Sequence, residues 1–124
     1  MNSGAVVSET FSRDDRLRKR REFEECYASG VRVSGRYVQM FLLAGKSGAP
    51  RLGISVPRRV GNAVARNRVR RRLREIFRRT RDLFGGRGGR LVVNARPSAA
   101  SASFLELSED YRKALGRAAS QPPG

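Results

Sequence analysis

Nine arginines and a single acid, Glu75, stand between positions 66 and 81, on a stretch whose apolar residues nonetheless keep helical spacing. At 100° per residue Ala65, Val69, Leu73, Ile76, Phe77, Leu83 and Phe84 share one arc about 120° wide, which predicts a helix over 63–83 stopped by Gly85 and Gly86. Opposite the arc lie Asn67, Arg71, Arg74 and Arg78, flanked by Arg68, Arg70, Arg79 and Arg81. Arg66 falls inside the arc, so either the helix starts near it or its stem runs along a sheet edge beneath a solvated head. Like charges four apart (Arg66/Arg70, Arg70/Arg74, Arg74/Arg78) weaken an isolated helix by roughly 0.2–0.5 kcal/mol per pair. Such a helix persists where its apolar side packs on other structure and an anion meets its outer side. A membrane surface qualifies only if the apolar arc stays free to enter lipid. Nucleic acid needs no such freedom and leads the candidates.

The rest of the chain carries the same bias. Across 124 residues, 27 Lys and Arg oppose 11 acids, a net charge of +16, and repulsion at that density opposes compaction unless an anion screens it. Only Lys19, Lys46 and Lys113 are lysines. Arginine grips phosphate bidentately and stacks on bases, although GC-rich codon usage would leave the same imprint. The chain has no His, the commonest general base and metal ligand. Cys26 is alone, so it cannot form a disulfide within the chain and is expected as a small buried hydrophobe in a reducing compartment. The acids fall mostly in polar, helical-looking stretches (Glu22, Glu24, Glu25, Glu106, Glu109, Asp110), and no catalytic pair is expected among them. Residues 1–30 lack an apolar signal core and no stretch approaches a membrane span, which predicts a cytoplasmic protein.

The remaining elements follow from periodicity. Leu17, Phe23, Cys26 and Tyr27 predict a helix over about 17–29, ended by Gly30. Strands are expected at 36–43 and 51–57, with a short one at 31–34 and another at 90–95. A last helix over 103–118 carries Phe104, Leu107, Tyr111 and Leu115 on one side. Residues 1–12 and 119–124 read as disordered tails around a single RNA-binding domain, 13–118. The order α-β-β-(β)-α-β-α predicts an α+β, two-layer α/β sandwich. On the second strand Leu52, Ile54 and Val56 face a core, while Gly53 and Ser55 are small enough to floor a groove. On the first, Tyr37, Gln39 and Phe41 share a face. If the first helix crosses it, Phe23, Tyr27, Tyr37 and Phe41 wall a groove over Ser55 on which single-stranded bases could stack; the alternative is that these rings are core.

The segment from Leu52 to Phe77, with its basic pair Arg58-Arg59, Gly61-Asn62-Ala63-Val64, Arg66-Asn67-Arg68 and Arg74-Glu75, closely resembles the signature of the bacterial ribonuclease P protein subunit. Arg16-Leu17, Glu22-Phe23, Gly30 and Ala95-Arg96-Pro97 agree in order, so the resemblance runs from about 16 to 118. Arg58, Arg59 and Arg70 stand where that family often has Lys, and Pro57 where a small polar residue is common. The resemblance implies a ribosomal protein S5 domain 2-like fold with a left-handed β-α-β crossover, against the usual right-handed rule. It implies a non-catalytic protein partner of a catalytic RNA that uses Mg2+, held mainly by the RNA, to remove the 5′ leader of precursor tRNA. By position, Arg58, Arg59, Asn62, Arg66, Asn67, Arg68, Arg70, Arg71, Arg74 and Arg78 would meet the ribonuclease P RNA. Phe23, Tyr27, Tyr37, Phe41, Ser55 and Arg96 would line a leader groove in precursor tRNA binding. No protein partner is implied. A ribosomal or RNA-assembly protein is the competing expectation, since such proteins share this size and basicity.

Overall fold

The computed structural model describes residues 16–46 and 48–121. Helix α1 (Arg20–Ser29) leads into strands β1 (Val31–Ser34), β2 (Val38–Ala44) and β3 (Arg51–Ser55). After a 3-10 turn (Arg58–Val60) come helix α2 (Ala63–Arg79), a second 3-10 turn (Arg81–Phe84), strand β4 (Gly89–Ala95), a third turn (Pro97–Ser101) and helix α3 (Phe104–Ser120). The sheet order is β1-β2-β4-β3, with β3 parallel to β4 and the other pairs antiparallel. α2 is therefore the crossover of a β-α-β unit, the connection that parallel neighbours require.

One sheet face carries the main core. Val33, Val38, Met40, Leu52, Leu91, Val93 and Ala95 meet Val69, Leu73, Ile76 and Phe77 from α2 and Leu107, Tyr111, Ala114, Leu115 and Ala118 from α3. The apolar arc of α2 is thus buried in the fold and does not lie free for lipid. These two helices and the sheet form the two-layer sandwich. α1 lies on the opposite face, where Leu17, Cys26, Phe41 and Val92 form a smaller core flanked by Phe23 and Leu43.

Several boundaries differ from those the periodicity predicts, each for a local reason. Leu17 precedes α1 and hydrogen-bonds the outer edge of β3 through Leu52 (2.9 Å). β3 ends at Ser55, since Pro57 cannot donate to the ladder. α2 stops at Arg79 because the Thr80 hydroxyl donates back to the Ile76 carbonyl (2.8 Å). The 3-10 turn that follows breaks the helical phase, turning Phe84 inward and leaving Leu83 51% exposed. Tyr37 sits one residue before β2 begins, so strand alternation does not govern it. Asp110 of α3 accepts the backbone N–H groups of Arg36, Tyr37 and Val38 (2.8, 2.8 and 3.2 Å), and Tyr37 enters the main core, 7% exposed. α3 runs through Ala119 to Ser120, two residues into the expected tail. The tail expected at 1–12 lies outside the described residues.

Candidate nucleic-acid interface

α2 begins at a built cap. Gly61, at φ 155° and ψ −165°, occupies backbone space essentially reserved for glycine. It sets Asn62 as N-cap, its Oδ1 accepting from Ala65 N–H at 2.9 Å. From there the outer face carries cations with few counter-charges. Arg68 and Arg71 have no carboxylate partner among the described residues, and the Arg70 guanidinium donates to Asn67 Oδ1 (3.1 Å). Asn67, Arg70, Arg71 and Arg74 line a surface concavity of about 680 Å³ with the exposed Val64. Burial, then the nearby charges of Arg16 and Arg70, pulls the Arg74 guanidinium below its ordinary value. Arg16, which reaches this group from the β3 edge, is a cation the sequence reading did not assign to the site.

The other predicted members of this surface divide. Arg66 lies in the first turn of α2, which starts at Ala63, and its Nε donates to the Gly61 carbonyl (3.1 Å) at the head of the helix. Arg78 is matched by Glu75, which also pairs with Arg79 (2.7 Å). Arg72 donates to the Ala102 carbonyl (2.8 Å) and ties α2 to the turn before α3. The densest unmatched charge therefore lies in the first half of the helix.

The groove is on the α1 face of the sheet, and the strand register resolves it into three rows. At one end Leu43, Arg90 and Arg51 align. Glu25 pairs with Arg90, and Glu22 accepts from Arg51 (3.1 Å), so α1 neutralises that row. In the middle row Arg32, Phe41, Val92 and Gly53 align, and α1 covers it. Phe23 lies so close over Gly53 that an added Cβ would approach its ring to 2.6 Å. Tyr27 packs edge-on against Phe41, with ring centroids 4.8 Å apart. The third row, Ser34, Gln39, Asn94 and Ser55, is polar and open.

Above this polar row is a cleft of about 490 Å³, lined by Gln39, Ser55, Pro57, Arg59, Asn94, Ala95, Arg96 and Pro97. Arg59 and Arg96 are exposed and have no carboxylate partner among the described residues. Tyr27, 42% exposed, borders the cleft and donates its hydroxyl to Asn94 Oδ1 (3.2 Å). Among the predicted groove residues, Ser55, Arg96 and Tyr27 thus come together, Phe23 stands half-buried beside them, and Phe41 is a buried support under Tyr27. Tyr37 is a correction: it belongs to the opposite core. Arg59, grouped with the helix in the sequence reading, lines the cleft. Asn94 is at the floor and was missed; its signal in the sequence is an amide directly after the apolar run Leu91-Val92-Val93 of β4.

The cleft and the α2 surface are joined by seven residues, Val56 to Asn62, that carry the chain from β3 through the first 3-10 turn to the start of α2. Burial pushes the Cys26 thiol up to about 11, so it is no nucleophile near neutral pH. Among the described residues no three His, Cys, Asp or Glu side chains converge as a metal site, and no helix is long and apolar enough to cross a membrane.

Comparison with known proteins gives a consistent result. The family model described as Ribonuclease P matches residues 11–119. The ribonuclease P protein component of Acidothermus cellulolyticus is 42% identical over 104 residues, covering 82% of this chain and 86% of that protein. That of Clostridioides difficile is 34% identical over 107 residues, covering 86% and 94%. A Staphylococcus aureus RNase P protein mutant with defective mRNA degradation activity superposes with TM-score 0.78 at 26% identity, covering 94% of each chain. The RNase P protein of Thermotoga maritima gives TM-score 0.71 at 31% identity, covering 82% of this chain and 96% of that one.

Proposed function

The chain belongs to the ribonuclease P protein family, and from that premise we propose that it binds two RNAs at once in the cytoplasm. The first half of α2, with Arg16, Arg58, Arg68, Arg70, Arg71 and Arg74, meets the phosphates of a catalytic ribonuclease P RNA. The cleft over Asn94 and Ser55 holds the 5′ leader of precursor tRNA, with Tyr27 and Phe23 offering stacking edges and Arg59 and Arg96 offering charge. One observation carries this reading: the first half of α2, where Arg68 and Arg71 have no carboxylate partner among the described residues, and the open polar cleft are neighbours along one short stretch of chain, so a precursor-tRNA leader lying in the cleft runs beside the catalytic RNA held by the helix. Arginine-to-phosphate contacts position a nucleic acid without reading it, whereas a cleft of this kind can engage unstacked bases.

The chemistry then belongs to the RNA. Glu22, Glu25 and Glu75 are engaged with arginines, so the described acids do not offer the convergent oxygen set that Mg2+ takes. We place that ion on the RNA, with the protein lowering the concentration needed by neutralising phosphates. Reconstitution tests the reading. Added to a ribonuclease P RNA, the protein is expected to stimulate precursor-tRNA cleavage most strongly at low Mg2+. No stimulation, together with tight binding to ribosomal RNA, would assign it to ribosome assembly.

A further inference from the structure

The outer edge of β3 fixes how the chain before α1 meets the cationic helix. Arg16 pairs there in parallel with Leu52, and the Leu17 N–H donates to the Leu52 carbonyl (2.9 Å). Paired residues of a ladder share a face, and successive residues of a strand alternate between faces. Leu52 belongs to the core under α2 and Leu17 to the core under α1, so Arg16 stands on the α2 face. α2 carries the chain from the end of β3 back to the start of its parallel neighbour β4, and so runs opposite to β3. Its first turns lie toward Ser55 and its later ones toward Arg51. Chain that leads into Arg16 along this edge therefore comes from the side of the later turns. Arg74 is the crowded cation beside it: burial, then the charges of Arg16 and Arg70, act on its guanidinium.

Immediately before Arg16 the sequence reads Asp14-Asp15. Carried back by the same alternation, Asp14 falls on the α2 face with Arg16, and Asp15 on the α1 face. Two strand residues cover about 6.6 Å, close to one helical turn of about 5.4 Å. Arg78, one turn beyond Arg74, is already engaged by Glu75, which leaves Arg74 for Asp14. Resting on the reading of α2 as the surface for the catalytic RNA, we infer that Asp14 docks on Arg74 in the RNA-free protein, standing in for a phosphate, and that the RNA displaces it on assembly. Charge selects this occupant over a second copy of the chain, which at +16 is repelled by the same face. Attachment two residues from Arg16 also gives the carboxylate a high effective concentration at the site. Assembly with RNA is thereby a competition between an internal carboxylate and an external phosphate for one guanidinium.

Binding of the full chain to ribonuclease P RNA, measured over a range of salt, tests this with two variants of equal charge. Asp14→Asn and Asp15→Asn each add one positive charge, so any long-range attraction is common to both. Asp14→Asn is expected to bind roughly threefold tighter than Asp15→Asn, the effect of removing one exposed ion pair from the free protein. That advantage should shrink as salt rises, because salt screens the pair that the variant removes. In an Arg74→Ala background the difference between the two variants is expected to vanish. Equal affinities for Asp14→Asn and Asp15→Asn, tighter binding by Asp15→Asn, or a difference that persists without Arg74 overturns this inference. Weaker RNA binding by Arg74→Ala alone then leaves the reading of α2 standing. Unchanged affinity in both Arg71→Ala and Arg74→Ala overturns that reading and this inference with it.

Discussion

Glu22 connects α1 to the sheet through one carboxylate. It accepts from the Arg51 guanidinium and from the backbone N–H groups of Arg18 and Lys19 (3.3 and 3.2 Å) at the start of the helix. The Arg51 hydrogen bond is the largest influence, opposed by burial and aided by the two backbone donors, and it holds the carboxyl at about 2 against an ordinary 4.5. A folded-state value below the unfolded one means the stabilisation is fully present above about pH 4.5 and disappears as pH falls through about 2. The shift corresponds to something on the order of 3 kcal/mol. Glu22→Gln is therefore expected to lose about 2–3 kcal/mol in urea unfolding at pH 7, with the gap to the unmodified protein closing by pH 2. An equal gap at both pH values would trace the loss to packing. Gly53 is the second residue on which this face depends. Gly53→Ala pushes the Phe23 ring outward and is expected to cost about 1–3 kcal/mol, as overpacking does. It should also narrow the preference for precursor over mature tRNA, because Phe23 then no longer borders the cleft. Binding measured for the two tRNAs, beside thermal unfolding, checks both effects.

At the scale of elements, α2 separates into a half that faces RNA and a half that is internally matched, and salt dependence distinguishes them. Each phosphate neutralised adds roughly 0.7–0.9 to the slope of log K against log salt. Arg71→Ala is expected to lower the slope for ribonuclease P RNA binding by about that amount. Arg78→Ala should leave it unchanged, since Glu75 already engages that guanidinium. Swapped outcomes would move the RNA surface to the far end of the helix. The same element shows how far periodicity reaches. The arc through Val69, Leu73, Ile76 and Phe77 is legible because helical spacing is a local property. Leu83 is misread because a single threonine hydroxyl ends the helix and shifts the phase. Tyr37 is misread for a related reason: the two-residue alternation was applied one position before the strand starts. The cleft was legible only in part. Ser55, Tyr27 and Arg96 are recognisable by residue type, but Asn94 joins them through a register that pairs β2 with β4 across more than fifty residues of chain, and no local pattern encodes that pairing.

The molecule as a whole sets a sheet with helices and a core on each face against a charge of +16. Among the described residues, ion pairs tie α1 to the sheet (Glu22 and Arg51, Glu25 and Arg90), and others lie within α1 (Arg20 and Glu24) and at the far end of α2 (Glu75 with Arg78 and Arg79). In the first half of α2 and the cleft, Arg68, Arg71, Arg59 and Arg96 have no carboxylate partner among the described residues. Two kinds of charge relief are physically distinct. Any salt screens exposed charges beyond a Debye length of about 8–10 Å, whereas a multivalent anion seated among Arg70, Arg71 and Arg74 acts as a ligand of the folded state. A ligand present at a hundred times its dissociation constant stabilises by about 2.7 kcal/mol, a large part of the stability of a domain this size. Sulfate is therefore expected to raise the thermal midpoint more than chloride at matched ionic strength, and Arg71→Ala should reduce that difference. Circular dichroism melts in the two salts provide the measurement. Identical midpoints in sulfate and chloride would mean that the arginines on this helix are too widely spaced to hold an anion between them, and that the RNA surface engages phosphates singly along the helix.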